Sequence, residues 1–185
     1  ELAAILRWSF VHLQDEDTDE SNHDLLNDKR GGSVYLRLTT RRVPQLQRQI
    51  DSDFETKIID GGYWLRPPAP GARLSIAYVG AVGPEALSAH MAIINRFPGA
   101  GLLAVTSPDR LHRGWLAAQR QRQTTPNGPE SAIERLLAPL ETSSQIVTVV
   151  DGHPSILSWI GAVYGHPVRP LGVERYGESG SLTEL

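Results

Sequence analysis

Three side chains that could carry acid–base or nucleophilic chemistry follow a single apolar run. Asp151, His153 and Ser155 come directly after residues 146–150, a β-branched run that is too short for a buried helix and is typical of a strand in a parallel sheet. Open α/β sheets usually bind ligands at the carboxyl ends of their strands. These residues are therefore candidate site residues, with His153 as the acid or base of such a site.

Two charged residues end the next predicted strand. Residues 168–173 have the composition of a strand, and Glu174 and Arg175 follow at its end. A helix between the two strands favours a right-handed crossover and a parallel pair, which brings these charges towards the same crevice as Asp151. The structural alternative stays open: Asp151 or Ser155 caps backbone amides, and Glu174 pairs with a nearby cation.

Other motifs with known chemistry are incomplete in this chain. Residues 80–83, Gly-Ala-Val-Gly, lie between a predicted strand and a helix, where backbone amides can hold a phosphate. The third glycine of a dinucleotide fingerprint is missing, Pro84 removes a donor and Glu85 adds a negative charge, so a tight turn is the preferred interpretation. No two of the six histidines have the helical spacing of a zinc motif, and Ser179 lacks a nucleophile elbow. We expect no metal site.

Composition narrows the class of protein. The 185 residues carry a formal net charge of -3 without an evident basic face, which argues against nucleic-acid binding. No apolar run is long enough to cross a membrane, and the start of the chain lacks the order of a signal peptide. The chain has no cysteine, which excludes disulfides and thiolate chemistry. A cytoplasmic protein is the expectation.

Strands and helices alternate along most of the chain. The pattern predicts five strands after residue 57 and an α/β fold: a three-layer α/β/α sandwich with a mostly parallel five-stranded sheet. The first of these strands follows no helix of its own, so it is expected to be an antiparallel edge. A further strand is predicted before residue 57. The predicted strands are residues 34–40, 58–65 (interrupted at Gly61 and Gly62), 74–79, 101–106, 146–150 and 168–173, and the main helices are 1–14, 84–95, a helix from Pro108, a short helix through Leu137, and 154–165.

Several blocks together resemble a known family. LSIAYVGAVGPEALSAH, GLLAVTSPDRLHRGW and VVDGHPSILSWIGAVYGHPVRPLGVERYGESG are similar to the C-terminal domain of the transketolase superfamily, and most closely to the homodimeric pyruvate-decarboxylating component of pyruvate dehydrogenase complexes. Residues 172–180 are the most specific part. They resemble the G-x-[DE]-x-[FY]-G-x-S-G/D pattern that joins the last strand of that domain to its terminal helix.

The resemblance implies a division of the chain. Residues 1–42 resemble the final helix and strand of the preceding pyrimidine-binding middle domain, and residues 43–57 resemble a linker. Residues 58–185 correspond to the transketolase-like C-terminal domain, and its terminal helix is expected to be truncated. Residues 15–30 are acidic and nearly free of bulky apolar groups, which predicts a solvated loop.

The parent enzyme that the resemblance implies uses thiamine diphosphate and magnesium to decarboxylate a 2-oxo acid or to transfer a two-carbon unit. The family's G-D-G motif with paired asparagines is missing here, because neither Asp60-Gly61-Gly62 nor Asp151-Gly152-His153 has such a partner. No catalytic, cofactor-binding or metal residue can be assigned on that basis. The expectation is a non-catalytic domain that supports a homodimer and offers a docking face to a dihydrolipoyl acyltransferase. The alternative is a free-standing α/β enzyme or small-ligand-binding domain with its site at Asp151, His153 and Glu174.

Overall fold

A computed structural model of the chain describes residues 1–14, 33–44, 46–125 and 127–175. The predicted acidic loop at residues 15–30, and the part of the family pattern at residues 176–180, lie outside these ranges. Helices and strands alternate within them, with 3-10 turns at Gly80–Val82 and Trp159–Val163. In chain order the elements are α1 (Leu2–Leu13), α2 (Ser52–Asp60), β1 (Gly62–Arg66), β2 (Leu74–Val79), α3 (Gly83–Ile93), β3 (Gly101–Val105), α4 (Pro108–Thr124), α5 (Ala132–Leu137), β4 (Gln145–Val150), α6 (Ser155–Ser158) and β5 (Val168–Leu171).

The strands form one five-stranded sheet in the order β1-β3-β2-β4-β5. Strand β1 is an edge strand and runs antiparallel to β3, whereas the β2–β3, β2–β4 and β4–β5 pairs are parallel. The predicted mostly parallel sheet with an antiparallel edge strand is therefore confirmed. Its central strands are buried on both faces, which explains why their sequences are nearly continuous apolar runs.

Helices cover both faces of the sheet and complete the predicted three-layer sandwich. On the first face, α4, α5 and α6 pack on side chains such as Leu103 and Val105 of β3. On the second face, α1, α2 and α3 pack on the alternate side chains of the same strand, Leu102 and Ala104. Side chains of a strand point alternately to the two faces, so one short strand supplies both cores. No helix in the described part of the chain has the length and apolarity that a membrane crossing requires.

The predicted strand at residues 34–40 is wrong. This segment has no regular secondary structure, bends at Thr40, and pairs with no strand among the described residues. Tyr35 is 87% exposed and Leu38 is 63% exposed, so the alternation of apolar and polar residues does not correspond to a buried face here. Alternation predicts a strand only where a neighbouring strand can accept its hydrogen bonds.

The predicted strand at residues 58–65 is correct only in its second half. Ile58 to Asp60 end helix α2, whose first turn is capped by Asp51 through a 2.8 Å hydrogen bond from the Phe54 amide. Gly61 then adopts a left-handed conformation with φ 116° and ends the helix, so the strand begins at Gly62. The predicted linker at residues 43–57 accordingly contains most of this helix. A glycine pair that suggested a bulge is in fact a helix C-cap followed by a strand.

The crossover after β4 is tighter than the predicted helix at residues 154–165. Only Ser155–Ser158 is α-helical, and the 3-10 turn Trp159–Val163 replaces the rest. The amides of Gly165 and His166 both donate to the carbonyl of Gly161, at 2.8 and 3.0 Å. This shared acceptor turns the chain directly into β5 and explains why regular helix does not continue.

Candidate functional site

The carboxyl ends of β2 and β4 lie side by side because the two strands are parallel neighbours. Asp151 follows β4, and a Cβ atom placed on Gly80, which follows β2, would lie 3.4 Å from the Cβ of Asp151. Glu85 lies in the first turn of α3, just beyond Gly80. Two carboxylates from distant parts of the sequence thus share the edge at which α/β sheets bind ligands.

Two arginines of the irregular segment at residues 33–44 engage these carboxylates. The Arg37 guanidinium donates to the carbonyl oxygen of Asp151, and a second nitrogen of the same group lies 3.7 Å from the Asp151 carboxylate. Arg41 forms an ion pair with Glu85. Arg37 and Arg41 thereby connect one segment to both strand ends. We call this segment the arginine strap.

The positive charges of the arginine strap lie next to the negative charges at the strand ends. The hydrogen bond from Arg41 is the main cause that lowers the pKa of Glu85 below its ordinary value, and the reciprocal bond raises the pKa of Arg41. The charge of Asp151 also favours the protonated form of Arg41. All of these side chains remain more than a third exposed, so solvent screens their interactions and each contributes little to stability.

His153 and Ser155 interact with each other rather than with Asp151. The Nδ1 atom of His153 lies 2.7 Å from the Ser155 hydroxyl and accepts a hydrogen bond of 3.3 Å from the Ser155 amide. Because Nδ1 is the acceptor for an amide, this geometry places the ring proton on Nε2 and makes the hydroxyl a donor. The imidazole therefore satisfies the amide of Ser155 at the start of α6. Both side chains are exposed.

Glu174 and Arg175 lie beyond the end of β5. The Val173 amide donates to the carbonyl of Gly152 at 2.8 Å, which holds the last described segment against the loop that follows β4. Glu174 and Arg175 are exposed, and within the described part of the chain neither side chain forms an ion pair or a side-chain hydrogen bond. The structure thus brings Asp151 together with Arg37, and His153 together with Ser155. It does not join the two charged groups at 174 and 175 to either pair.

The pairing of Arg37 and Arg41 with the strand ends was missed at the sequence level. Their spacing gives no signal in a segment without regular structure, and nothing local shows which carboxylates they meet. Within the described residues, no group of three or more histidine or carboxylate side chains is placed to hold a metal ion. We call the Arg37–Asp151 and Arg41–Glu85 pairs the charged seam. They tie the arginine strap to the edge of the sheet.

No protein-family model matches the chain. Among the curated proteins, none is similar enough to count as a match.

The arginine strap should depend on its two arginines. In the double variant Arg37→Gln/Arg41→Gln we expect chymotrypsin to cleave after Tyr35 and Leu38 about tenfold faster than in the native chain, because a segment released from the sheet edge can adopt the conformation that the protease binds. The cleavage sites are identified by mass spectrometry. Arg42→Gln is the matched control, since Arg42 is exposed and makes no ion pair among the described residues. Equal acceleration by Arg42→Gln would show that the two ion pairs do not hold the segment.

Proposed function

We propose that this chain is the non-catalytic C-terminal domain of a thiamine diphosphate-dependent 2-oxo acid dehydrogenase of the pyruvate dehydrogenase type, or of a transketolase, together with the last part of its neighbouring domain. Its role is structural, and it acts in the cytoplasm. The observation that carries the proposal is the five-stranded sheet with one antiparallel edge strand, because the sequence blocks that resemble the family lie on its strands and crossovers. The family resemblance implies a mostly parallel five-stranded sheet.

The charged seam supports a structural role. Asp151 and Glu85 stand where an α/β enzyme would place reacting groups, yet both bind arginines of the arginine strap. His153 uses Nδ1 to accept from a backbone amide. These interactions join residues 33–44 to the sheet, which is what a domain needs in order to stay attached to its neighbour. They also give the free-standing enzyme interpretation no added support, because the carboxylate of Asp151 is engaged by Arg37 and not by His153.

The exposed apolar side chains of the N-terminal part support contact with other parts of an enzyme. On α1, Phe10 and Val11 are 64% and 69% exposed, and Tyr35 and Leu38 of the arginine strap are also exposed. We propose that these exposed side chains belong to an interaction surface, for which apolar exposure is typical. In the proposed enzyme this surface meets the remainder of the middle domain and the second subunit of a homodimer, and a dihydrolipoyl acyltransferase docks on the assembled dimer.

Asp60-Gly61-Gly62, one of the two strings nearest to the family's cofactor motif, does not fit a diphosphate. The carbonyl of Gly61 accepts the amides of Thr106 and Ser107 at 2.9 and 3.1 Å, and a carboxylate oxygen of Asp60 lies 3.8 Å from Arg135. Asp60 and Gly61 therefore hold α2 and β1 to their neighbours. In the proposal, thiamine diphosphate and magnesium bind elsewhere in the parent enzyme, and no step of its reaction is assigned to this chain.

The proposal is tested by comparing this chain with the polypeptide encoded by its full reading frame. We expect the full polypeptide, with thiamine diphosphate and magnesium, to reduce an artificial electron acceptor in the presence of pyruvate. We expect the 185-residue chain to be inactive and to give no calorimetric signal with the cofactor. Micromolar cofactor binding by the chain alone, or a reading frame that encodes no G-D-G motif upstream, contradicts the proposal.

A further inference from the structure

A cleft of about 490 Å³ lies on the second face of the sheet and shares no lining residue with the charged seam. It is bounded by residues 46–49 and Asp51, the first turn of α2, the end of β1 and one side chain of α3. Its apolar lining comes from Leu46, Phe54, Leu65 and Leu87. A volume of this size is typical of sites for small organic ligands.

Arg48 lines the cleft without a direct ion pair, although the Glu1 carboxylate accepts a hydrogen bond from the hydroxyl of Tyr63, the ring that Arg48 covers. Its guanidinium carbon lies 5.2 Å from the ring centroids of both Phe54 and Tyr63, so two aromatic rings hold the group by cation–π contacts. Within the described part of the chain Arg48 makes no hydrogen bond or ion pair with a carboxylate. A guanidinium carries N–H groups in a planar fork, which matches a carboxylate in two parallel hydrogen bonds.

The end of β1 adds a second cation to the same cleft. The register between β1 and β3 shifts between Trp64 and Arg66, which is the mark of a β-bulge. Bulges redirect side chains and are frequent next to binding sites. Here Leu65 and Arg66, at the shift, both line the cleft. Asp51 also lines it, but its carboxylate accepts the amide of Phe54 as the cap of α2.

We propose that this cleft binds a small organic monoanion, a carboxylate with an apolar body, whose carboxylate pairs with Arg48 and whose body lies against Leu65 and Leu87. Among the residues that line the cleft, two arginines and one aspartate leave a single excess positive charge, and the nearby Glu1 carboxylate at Tyr63 offsets part of it, so a monoanion fits better than a phosphate dianion. This inference does not depend on the proposed function, because it is argued only from the side chains that line the cleft.

The test is a calorimetric titration of the chain with octanoate. We expect saturable one-to-one binding that the neutral analogue octanamide does not reproduce and that acetate shows only weakly. A parallel titration with 3-phenylpropanoate distinguishes an aromatic body from an acyl chain. Arg48→Gln should weaken octanoate binding by at least about tenfold, and Arg66→Gln by about threefold, because the latter contributes charge from an exposed position.

Arg96→Gln is the matched control. The guanidinium of Arg96 also lies over a ring, that of Phe97 at 5.7 Å, but outside the cleft. This variant should bind octanoate as the native chain does. Arg48→Lys keeps a cation over the two rings but lacks the planar fork of the guanidinium. We expect it to bind octanoate several-fold more weakly than the native chain does. If Arg48→Gln does not fold, Arg48→Lys tests the role of Arg48 in its place. Equal binding of octanoate and octanamide, unchanged binding in Arg48→Lys and Arg48→Gln, or no saturable binding up to about 10 mM octanoate overturns the proposal.

Discussion

Replacement of Gly161 by alanine is expected to lower the free energy of unfolding by about 3 kcal/mol, because the site has no room for a methyl group. A Cβ atom at this position would overlap the carbonyl oxygen of His166 and a methyl group of Val168, well inside the 3.0 Å that real Cβ contacts respect. Relief requires the 3-10 turn to move away from β5. That movement would strain the two amide hydrogen bonds that Gly161 accepts.

Urea unfolding followed by tryptophan fluorescence measures this effect, since Trp159 lies in the same turn. Gly114→Ala is the control. Gly114 lies inside α4, and a Cβ atom there meets nothing within 4 Å. Alanine favours helix over glycine, so the control should gain about 0.5 to 1 kcal/mol. Similar stabilities for the two variants would mean that the turn can move away from β5 at little cost.

The second large effect is expected at Glu134, which carries a buried charge. Its side chain is 8% exposed and lies 2.5 Å from the Arg122 guanidinium. The same carboxylate accepts the amide and the hydroxyl of Ser131, both at 2.7 Å, in a capping box that starts α5. Glu134→Gln removes the charge but keeps the shape. We expect it to lower the free energy of unfolding by about 2 kcal/mol at pH 7.

This loss should depend on pH in a defined direction. Burial by itself raises the pKa of Glu134, but the bonds from Arg122 and Ser131 together outweigh it, so the pKa lies below the ordinary value of 4.5. A lowered pKa in the folded state gives stability that is present above the ordinary value and disappears as the pH falls through the folded-state value. The gap between the native chain and Glu134→Gln should therefore be full at pH 7 and narrow below pH 4.5.

Urea denaturation at a series of pH values measures that gap. Glu55→Gln is the control, because Glu55 pairs with Arg7 on the surface, where the two side chains are 30% and 65% exposed. We expect the control to change stability by less than about 0.5 kcal/mol. If the two variants lose equal stability, or if the gap at Glu134 persists at low pH, the buried charge is not what stabilises α5.

The strands were predictable where burial on both faces leaves a continuous apolar run. Strands β2 and β3 are such runs, and β4 and β5 follow from the turn residues on either side of them. The antiparallel edge strand was predicted correctly, but from a wrong premise, because helix α2 ends directly before β1. The segment at residues 34–40 was mispredicted, because an alternating pattern does not tell whether a partner strand is within reach. Helix α2 was missed although Asp51 and the acidic first turn marked its start.

The candidate site was predictable only in part. Asp151 was placed correctly at the end of β4, since position after a parallel strand is a local property of the sequence. Its partner Arg37 lies 114 residues away along the chain. Such a contact depends on where the arginine strap passes over the folded sheet, and no local pattern encodes that path. The same reasoning applies to Arg48, whose two aromatic neighbours come from α2 and β1.

The central position of β2 has a consequence for the order in which the chain can fold. Strands β2 and β3 pair across one helix, as do β4 and β5 across one short crossover, so each pair closes a short loop. The β2–β4 pair, with Leu74 opposite Gln145, joins the two units and closes a loop about three times longer, at an entropic cost of about 1 kcal/mol more. Because non-local pairings slow folding, we expect the joining of β2 to β4 to limit the rate at which the sheet assembles.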